Sequence, residues 1–177
     1  INTKNIFPIG HYYLENKVKN DINTNCTNKI TQLKNIYKKI FLISSQKNIE
    51  PELIRFIIQL AEKYLEYCFI FKQRDTLDLK LSYDNIMVES KYDIYDLMQL
   101  TDVHLSCFST TILESIASSN ALNIIIDING LGSHYYEVIA KHSRRVLICK
   151  NLNEIINVLK LDNLETHPNY ELFYQKN

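Results

Sequence analysis

A cluster of hydroxyl side chains surrounds one carboxylate near the middle of the chain. The cluster comprises Ser106, Ser109, Thr110, Thr111 and Ser115 around Glu114. Hydroxyls donate hydrogen bonds to phosphate oxygens, and a carboxylate accepts them from sugar hydroxyls. If this segment follows a strand and opens a helix, the amides of its first turn also favour an anion. These residue types therefore predict a site for a phosphate that is attached to ribose.

The same spacing has a purely structural interpretation. Thr111 and Glu114 fit a capping box, and Ser109 fits an N-cap, so either could close a helix without binding a ligand. Position in the fold distinguishes the two interpretations, because ligands of open α/β sheets bind beyond the carboxyl ends of the strands.

Strands and helices alternate along the chain from Lys39 onward. Short apolar runs between polar residues are typical of parallel strands that are covered on both faces. The predicted strands are 39–45, 68–72, 85–89, 102–108, 121–128 and 145–150. Amphipathic or capped stretches predict helices between and after them. These helices are 50–67, 94–100, 110–119, 132–141 and 151–160.

This alternation requires a parallel sheet with right-handed crossovers, so we predict a doubly wound α/β domain with six strands over residues 36–162. Residues 1–35 are rich in Asn and Lys and include a turn at Gly10, so we interpret them as an interdomain linker or the end of a preceding domain. The polar, aromatic residues 163–177 are predicted to form a carboxyl-terminal extension.

Composition limits the classes of function. The 177 residues include 20 basic and 20 acidic side chains, so the chain has no net positive charge that would favour binding of nucleic acid. With 46% hydrophobic side chains, the chain is able to bury the core of one domain. Its longest apolar windows contain charges, and none reaches the roughly 18 residues of a membrane span.

The cysteines and the first residues bear on where in the cell the protein is expected. The four cysteines, Cys26, Cys68, Cys107 and Cys149, are too far apart in sequence for a zinc or redox motif. We therefore expect buried free thiols and a cytoplasmic protein. The first residues lack the apolar core of a signal peptide. The chain begins with Ile1, so we expect a piece of a longer protein.

The stretch IYDLMQLTDVHLSCFSTTILESIASSNALNIIID resembles the carboxyl-terminal, nucleotide-binding half of GT-B glycosyltransferases. It is most similar to bacterial capsule and surface-polysaccharide transferases. Teichoic-acid glycerophosphotransferases and UDP-N-acetylglucosamine 2-epimerase share that fold. The matching positions are Tyr95, Leu97, Asp102, Val103, Ser109, Thr110, Glu114 and 124–126. The resemblance covers residues 36–162 and implies a Rossmann-like, three-layer αβα domain.

The resemblance also implies roles for the hydroxyl cluster. Ser109, Thr110 and Thr111 would hold the diphosphate of a UDP- or CDP-linked sugar, and Glu114 would hold its ribose. Neither a metal ion nor a cofactor besides this donor substrate is implied. The chain contains no G-x-G-x-x-G or Walker A sequence, which argues against nicotinamide cofactors and P-loop chemistry.

Four further residues are candidates for the phosphate site. Ser44 and Ser45 end the first predicted strand, Lys72 ends the second, and Arg74 follows it. The two cations would offset phosphate charge. An ordinary strand-to-helix loop and a solvated basic loop are the structural alternatives for the two pairs.

The chain departs from the family pattern at two places. Many relatives carry a Lys-x-His-Pro or His-Pro pair where residues 72–74 stand, and His167-Pro168 comes too late to replace it. Many also carry Pro where Asn123 stands, and we expect this difference to affect only a turn.

Five residues are weaker candidates for contact with the base or the donor sugar. They are Asn85, Glu89, Gly130, Gly132 and His134. In relatives, the backbone near the third strand receives the base. The glycines suggest a flexible loop that contacts the donor, whereas His134 alone also fits an ordinary surface or packing residue.

The expected function is donor binding in a metal-independent glycosyltransferase of bacterial surface-polysaccharide synthesis. The implied partners are the nucleotide sugar, an amino-terminal GT-B domain, and a polysaccharide or lipid-linked acceptor at the inner membrane, where the protein would be peripheral. Without the amino-terminal domain the chain would transfer nothing. The alternatives are a 2-epimerase-like or glycerophosphotransferase-like enzyme, which fold cannot separate, and a non-catalytic α/β interaction domain whose tyrosines face a partner.

Overall fold

A computed structural model describes residues 21–72, 83–143 and 145–160. These residues form six α-helices and six strands. The helices are α1 (Thr24–Ile36), α2 (Glu50–Lys63), α3 (Ile94–Leu100), α4 (Thr111–Ser118), α5 (Leu131–His142) and α6 (Leu152–Leu159). The strands are β1 (Lys39–Ser44), β2 (Tyr67–Lys72), β3 (Ile86–Glu89), β4 (Val103–Ser106), β5 (Leu122–Ile126) and β6 (Val146–Cys149). Short 3₁₀ turns at Lys47–Ile49 and Ile128–Gly130 precede α2 and α5.

All six strands form one parallel sheet in the order β3-β2-β1-β4-β5-β6. The strand order reverses between β1 and β4, and in sheets of this type the ligand crevice lies at such a reversal. The predicted α/β fold with a six-stranded parallel sheet is confirmed.

Helices cover both faces of the sheet. On β1, Phe41 and Ile43 face the layer of α2 and α6, whereas Ile40 and Leu42 face the other helices. All four side chains are fully buried. Burial on both faces explains why the strands read as continuous apolar runs instead of alternating ones.

The first helix differs from the sequence-based prediction, which placed residues 24–35 in a linker. Asn23 caps α1 by accepting from the amides of Asn25 and Cys26. The helix packs Cys26 and Ile30 into the core. The signal was weak because the apolar residues of this helix are widely spaced among polar ones. The domain therefore includes α1.

Asp102 fixes the amino edge of the sheet. Its Oδ2 accepts from the amide of Ile40 at 2.7 Å, and its Oδ1 lies 3.1 Å from Lys34 Nζ on α1. Its backbone carbonyl accepts from the amide of Leu122. This residue matches the family pattern, yet it lies at the edge opposite the carboxyl ends of the strands. The fold alone explains the match.

The four cysteines are buried and free, as predicted. Burial raises the pKa of the Cys68 thiol to about 11. Within the described ranges, no helix has the length and apolarity to cross a membrane. The predicted extension 163–177 and the turn at Gly10 lie outside the described residues.

Candidate functional site

A cleft of about 450 Å³ opens at the carboxyl edge of the sheet, where the strand order reverses. Seven predicted residues line it: Ser44, Ser45, Lys72, Ser109, Thr110, Thr111 and Glu114. The lining also includes Ser90, Ile94 and Tyr95, which the sequence analysis did not select as site residues. The structure thus brings together residues that are up to 70 positions apart in sequence, from Ser44 to Glu114.

The hydroxyl cluster lies where the chain leaves β4 and enters α4. Thr110 is the N-cap of α4 and makes no capping bond with its side chain. Ser109 Oγ lies 2.9 Å from Thr111 Oγ1 and accepts weakly from the Thr111 amide, at 3.4 Å. Among the described residues, no group accepts a hydrogen bond from the amide of Ser109 or Thr110. These two amides, in the turn before α4, are therefore open to a bound acceptor, whereas the amides of Ile112 and Leu113 donate to the carbonyls of Ser109 and Thr110.

Glu114 does not complete a capping box. Its Oε2 accepts from the hydroxyl of Tyr95 on α3 at 3.0 Å, instead of from an amide at the start of α4. The carboxylate is half-buried in the wall of the cleft. Tyr95 therefore fixes the orientation of this carboxylate by a contact between two helices.

Lys72 brings a positive charge to the cleft. It is the last residue of β2, and its Nζ donates to the carbonyl of Tyr92 at 2.6 Å. The bond holds the ammonium group near the cleft, and the ammonium retains donors for a second acceptor. The hydroxyl proton of Ser45 is already used, because it is donated to the carboxylate of Glu50 in the first turn of α2.

A buried histidine lies beneath the cleft floor. His104 on β4 is fully buried, with Nε2 at 3.0 Å from Ser44 Oγ and Nδ1 at 3.2 Å from Asn123 Oδ1. Burial lowers the pKa of His104 to about 4, although the hydrogen bond to Asn123 opposes this shift. The imidazole is therefore neutral at pH 7.

The prediction that Asn123 affects only a turn is wrong. Asn123 lies within β5, directly opposite His104 in the register of the two strands. His104 and Asn123 each interrupt an otherwise apolar strand, a pattern that indicates buried polar residues but does not identify them as partners.

Tyr136 supports the hydroxyl cluster from the side. Its hydroxyl, on α5, donates to the carbonyl of Ser109 at 2.6 Å in a buried contact. Burial raises the pKa of Tyr136 to about 12, so the group remains a hydrogen-bond donor at neutral pH. The Ser109 carbonyl is thereby fixed, which helps to hold the turn before α4 in place.

Comparison with known proteins identifies no family for this chain. No protein-family model and no curated protein matches the sequence. A proposal for the function of this chain therefore rests on the geometry of the cleft together with the resemblance of residues 94–127.

The structure keeps Asn85 and Glu89 out of the cleft lining. Asn85 precedes β3 at the amino edge, where its amide donates to the carbonyls of Ala61 and Tyr64. Glu89 is buried and accepts from the amides of Lys91 and Tyr92. It also accepts from Lys29 Nζ at 2.8 Å. Burial raises the pKa of Glu89, but these hydrogen bonds outweigh it and lower the pKa overall.

The loop after β5 also lies outside the lining. Gly130 adopts a φ of +75°, a conformation that favours glycine. A side chain on Gly132 would place its Cβ 2.7 Å from Ile125 Cγ2, so this glycine is required for packing. His134 is exposed and contacts the ring of Tyr135 edge-on. Arg74 lies outside the described residues.

Proposed function

We propose that this domain binds the nucleotide diphosphate of an activated sugar, as the donor-binding half of a GT-B glycosyltransferase. The observation that carries the proposal is the cleft at the reversal of strand order, where an uncapped helix start, a lysine and an oriented carboxylate face the same space. A diphosphate with a ribose attached matches this set, because it requires amide and cationic donors at one end and a carboxylate acceptor at the other.

The phosphate end of the ligand would lie over the start of α4. Ser109, Thr110 and Thr111 line the cleft there, and the amides of Ser109 and Thr110 have no acceptor among the described residues. The partial positive charge of the helix start favours an anion, and the ammonium of Lys72 adds a full charge. These donors would stabilise the charge that develops on a departing diphosphate.

The ribose end would lie toward α3. Glu114 is one turn into α4, and Tyr95 and Ile94 contribute the adjoining wall. The carboxylate would accept from the ribose hydroxyls while Tyr95 keeps it oriented. The apolar side chain of Ile94 suits the flat face of a sugar or a base.

The proposed donor is UDP- or CDP-linked, and the proposed acceptor is a bacterial surface polysaccharide or a lipid-linked precursor. The acceptor and the catalytic base would be supplied by an amino-terminal domain, so this half alone would bind the donor without transferring the sugar. The resemblance of residues 94–127 to GT-B transferases supports this assignment. The missing capping bond at Thr110 counts against a domain whose hydroxyls only close a helix.

Calorimetric titration of the chain with UDP, CDP and GDP, and with uridine and cytidine as controls, tests the proposal. We expect the pyrimidine diphosphates to bind, and the nucleosides to bind at least about tenfold more weakly, because they lack the charge-assisted hydrogen bonds of the phosphates. Equal affinity for uridine and UDP, or no binding of any diphosphate, would contradict the proposal.

A further inference from the structure

A chain of hydrogen-bonding side chains runs from the centre of the sheet to the cleft. It connects Asn123, His104, Ser44, Thr111 and Ser109 through atom pairs 2.9 to 3.2 Å apart. The inner members lie on the paired strands β1, β4 and β5, and the outer members lie at the start of α4. Burial of an imidazole among apolar strands costs free energy unless its nitrogens are satisfied, so the directions of these bonds follow from which atoms can donate.

Asn123 sets the direction at the inner end. Its Nδ2 donates to the carbonyl of Ala121 at 3.2 Å, which turns Oδ1 toward His104. An amide oxygen only accepts, so the proton of the neutral imidazole lies on Nδ1. Nε2 then carries a lone pair and accepts the hydroxyl proton of Ser44, 3.0 Å away.

The direction at the inner end determines which hydroxyl is available in the cleft. Ser44 has one hydroxyl proton, and His104 accepts it, so Ser44 has none left for a group in the cleft. Thr111 Oγ1 lies 3.0 Å from Ser44 Oγ and donates its own proton to Ser109 Oγ at 2.9 Å. Because Ser109 Oγ accepts in that contact, the hydroxyl proton of Ser109 is left for a group in the cleft.

We propose that His104 is a positioning residue: its Nδ1-protonated imidazole takes the proton of Ser44, so that Ser109 and not Ser44 donates to a bound phosphate oxygen. The phosphate part of this inference rests on the proposed function, whereas the tautomer does not. Ser44 would then present a hydroxyl oxygen to the cleft without a proton to donate. The two serines, which are equivalent candidates by residue type, thereby have opposite roles.

Nitrogen-15 NMR of the full chain, labelled at histidine, reads the tautomer directly and needs no variant. The His104 signals are those that stay neutral as the pH falls through about 6, where an exposed imidazole titrates. We expect the chemical-shift pattern of an imidazole protonated at Nδ1. A pattern of Nε2 protonation, or an imidazolium at pH 7, would overturn the inference whether or not a nucleotide binds.

Titration of UDP into two serine variants tests the consequence. We expect Ser109→Ala to weaken binding about tenfold, the loss of one hydrogen bond to a charged group, and Ser44→Ala to weaken it less than about threefold. Equal losses in the two variants would overturn the inference. If the unaltered chain binds no nucleotide while His104 is protonated at Nδ1, the proposed function and the phosphate role of Ser109 have failed, and only the role of His104 in orienting Ser44 stands.

Discussion

Two helix starts in this domain follow strands and carry a glutamate near the first turn, yet they are built differently. At α6, the amide of Glu154 donates to Asn151 Oδ1 at 3.0 Å, and the Glu154 carboxylate accepts from the Lys150 amide and the Asn151 side chain. At α4, the cap residue Thr110 makes no side-chain bond, and Glu114 binds Tyr95 instead. The start of α6 is therefore capped by its own side chains. At α4, the amides of Ser109 and Thr110 have no acceptor among the described residues.

The difference shows why residue spacing alone does not distinguish a cap from a binding site. Both helices offer a polar residue three positions before a glutamate, and this pattern is the sequence signature of a capping box. At α4 the N-cap is Thr110, so Glu114 lies one position beyond that of a capping box, and its carboxylate accepts from Tyr95 on a different helix. The residue at which the helix begins therefore decides between the two arrangements.

The largest expected effect on stability comes from a substitution at the carboxyl end of α4. An uncapped start contributes less stability, so α4 depends on its carboxyl end, where Arg145 donates to the carbonyls of Ser119 and Ile116 at 2.6 Å each. We expect Arg145→Met to lower the free energy of unfolding by about 4 kcal/mol, because two buried charge-assisted hydrogen bonds are lost.

Urea denaturation measures this change. Arg55→Met is the matched control, because the Arg55 side chain on α2 is 71% exposed and makes only surface contacts among those described. We expect the control to change the unfolding free energy by less than about 0.5 kcal/mol. Equal effects of the two substitutions would show that Arg145 does not stabilise α4.

A smaller effect concerns pH, because the unfolding free energy depends on the protonation of His104 beneath the start of α4. The pKa of His104 is lowered from 6.5 to about 4 in the folded chain by burial. Between these two values the unfolded chain binds a proton that the folded chain does not, so the unfolding free energy falls as the pH falls. Above about 6.5 both states are neutral and the contribution is constant. The full loss would be at most about 3 kcal/mol.

Denaturation curves of the unaltered chain and of His104→Gln, recorded across this pH range, measure the effect. Gln replaces the titratable ring and keeps an acceptor near Ser44. We expect the acid dependence of the unfolding free energy to be shallower in the variant, and parallel dependences would contradict the buried neutral imidazole.

Much of the fold could be predicted because the strands are buried on both faces. Ile40, Phe41, Leu42 and Ile43 show this directly, since a strand with two buried faces is apolar at every position. The first helix could not be found in the same way. Its core contacts come from Cys26 and Ile30, and the rest of the segment resembles a polar linker.

The candidate site was predictable where it depends on position along a strand. Ser44 and Lys72 lie at the carboxyl ends of predicted strands and Ser109 follows one, and in a parallel sheet these ends meet at one edge. The same rule would have excluded Asn85, which precedes its strand and lies at the other edge. The pairing of His104 with Asn123 depends on β4 lying beside β5, which residue spacing does not specify.

The central claim is that the start of α4 is a ligand site and the start of α6 is only a cap. Calorimetric titration of UDP and CDP into Glu114→Gln and Glu154→Gln, with denaturation of both variants, tests it most directly. We predict that Glu114→Gln weakens nucleotide binding about tenfold with little loss of stability, because Gln still accepts from Tyr95. We predict that Glu154→Gln leaves binding unchanged and lowers the unfolding free energy by about 1 kcal/mol, the loss of one capping bond. Equal nucleotide affinity in the two variants would contradict the account.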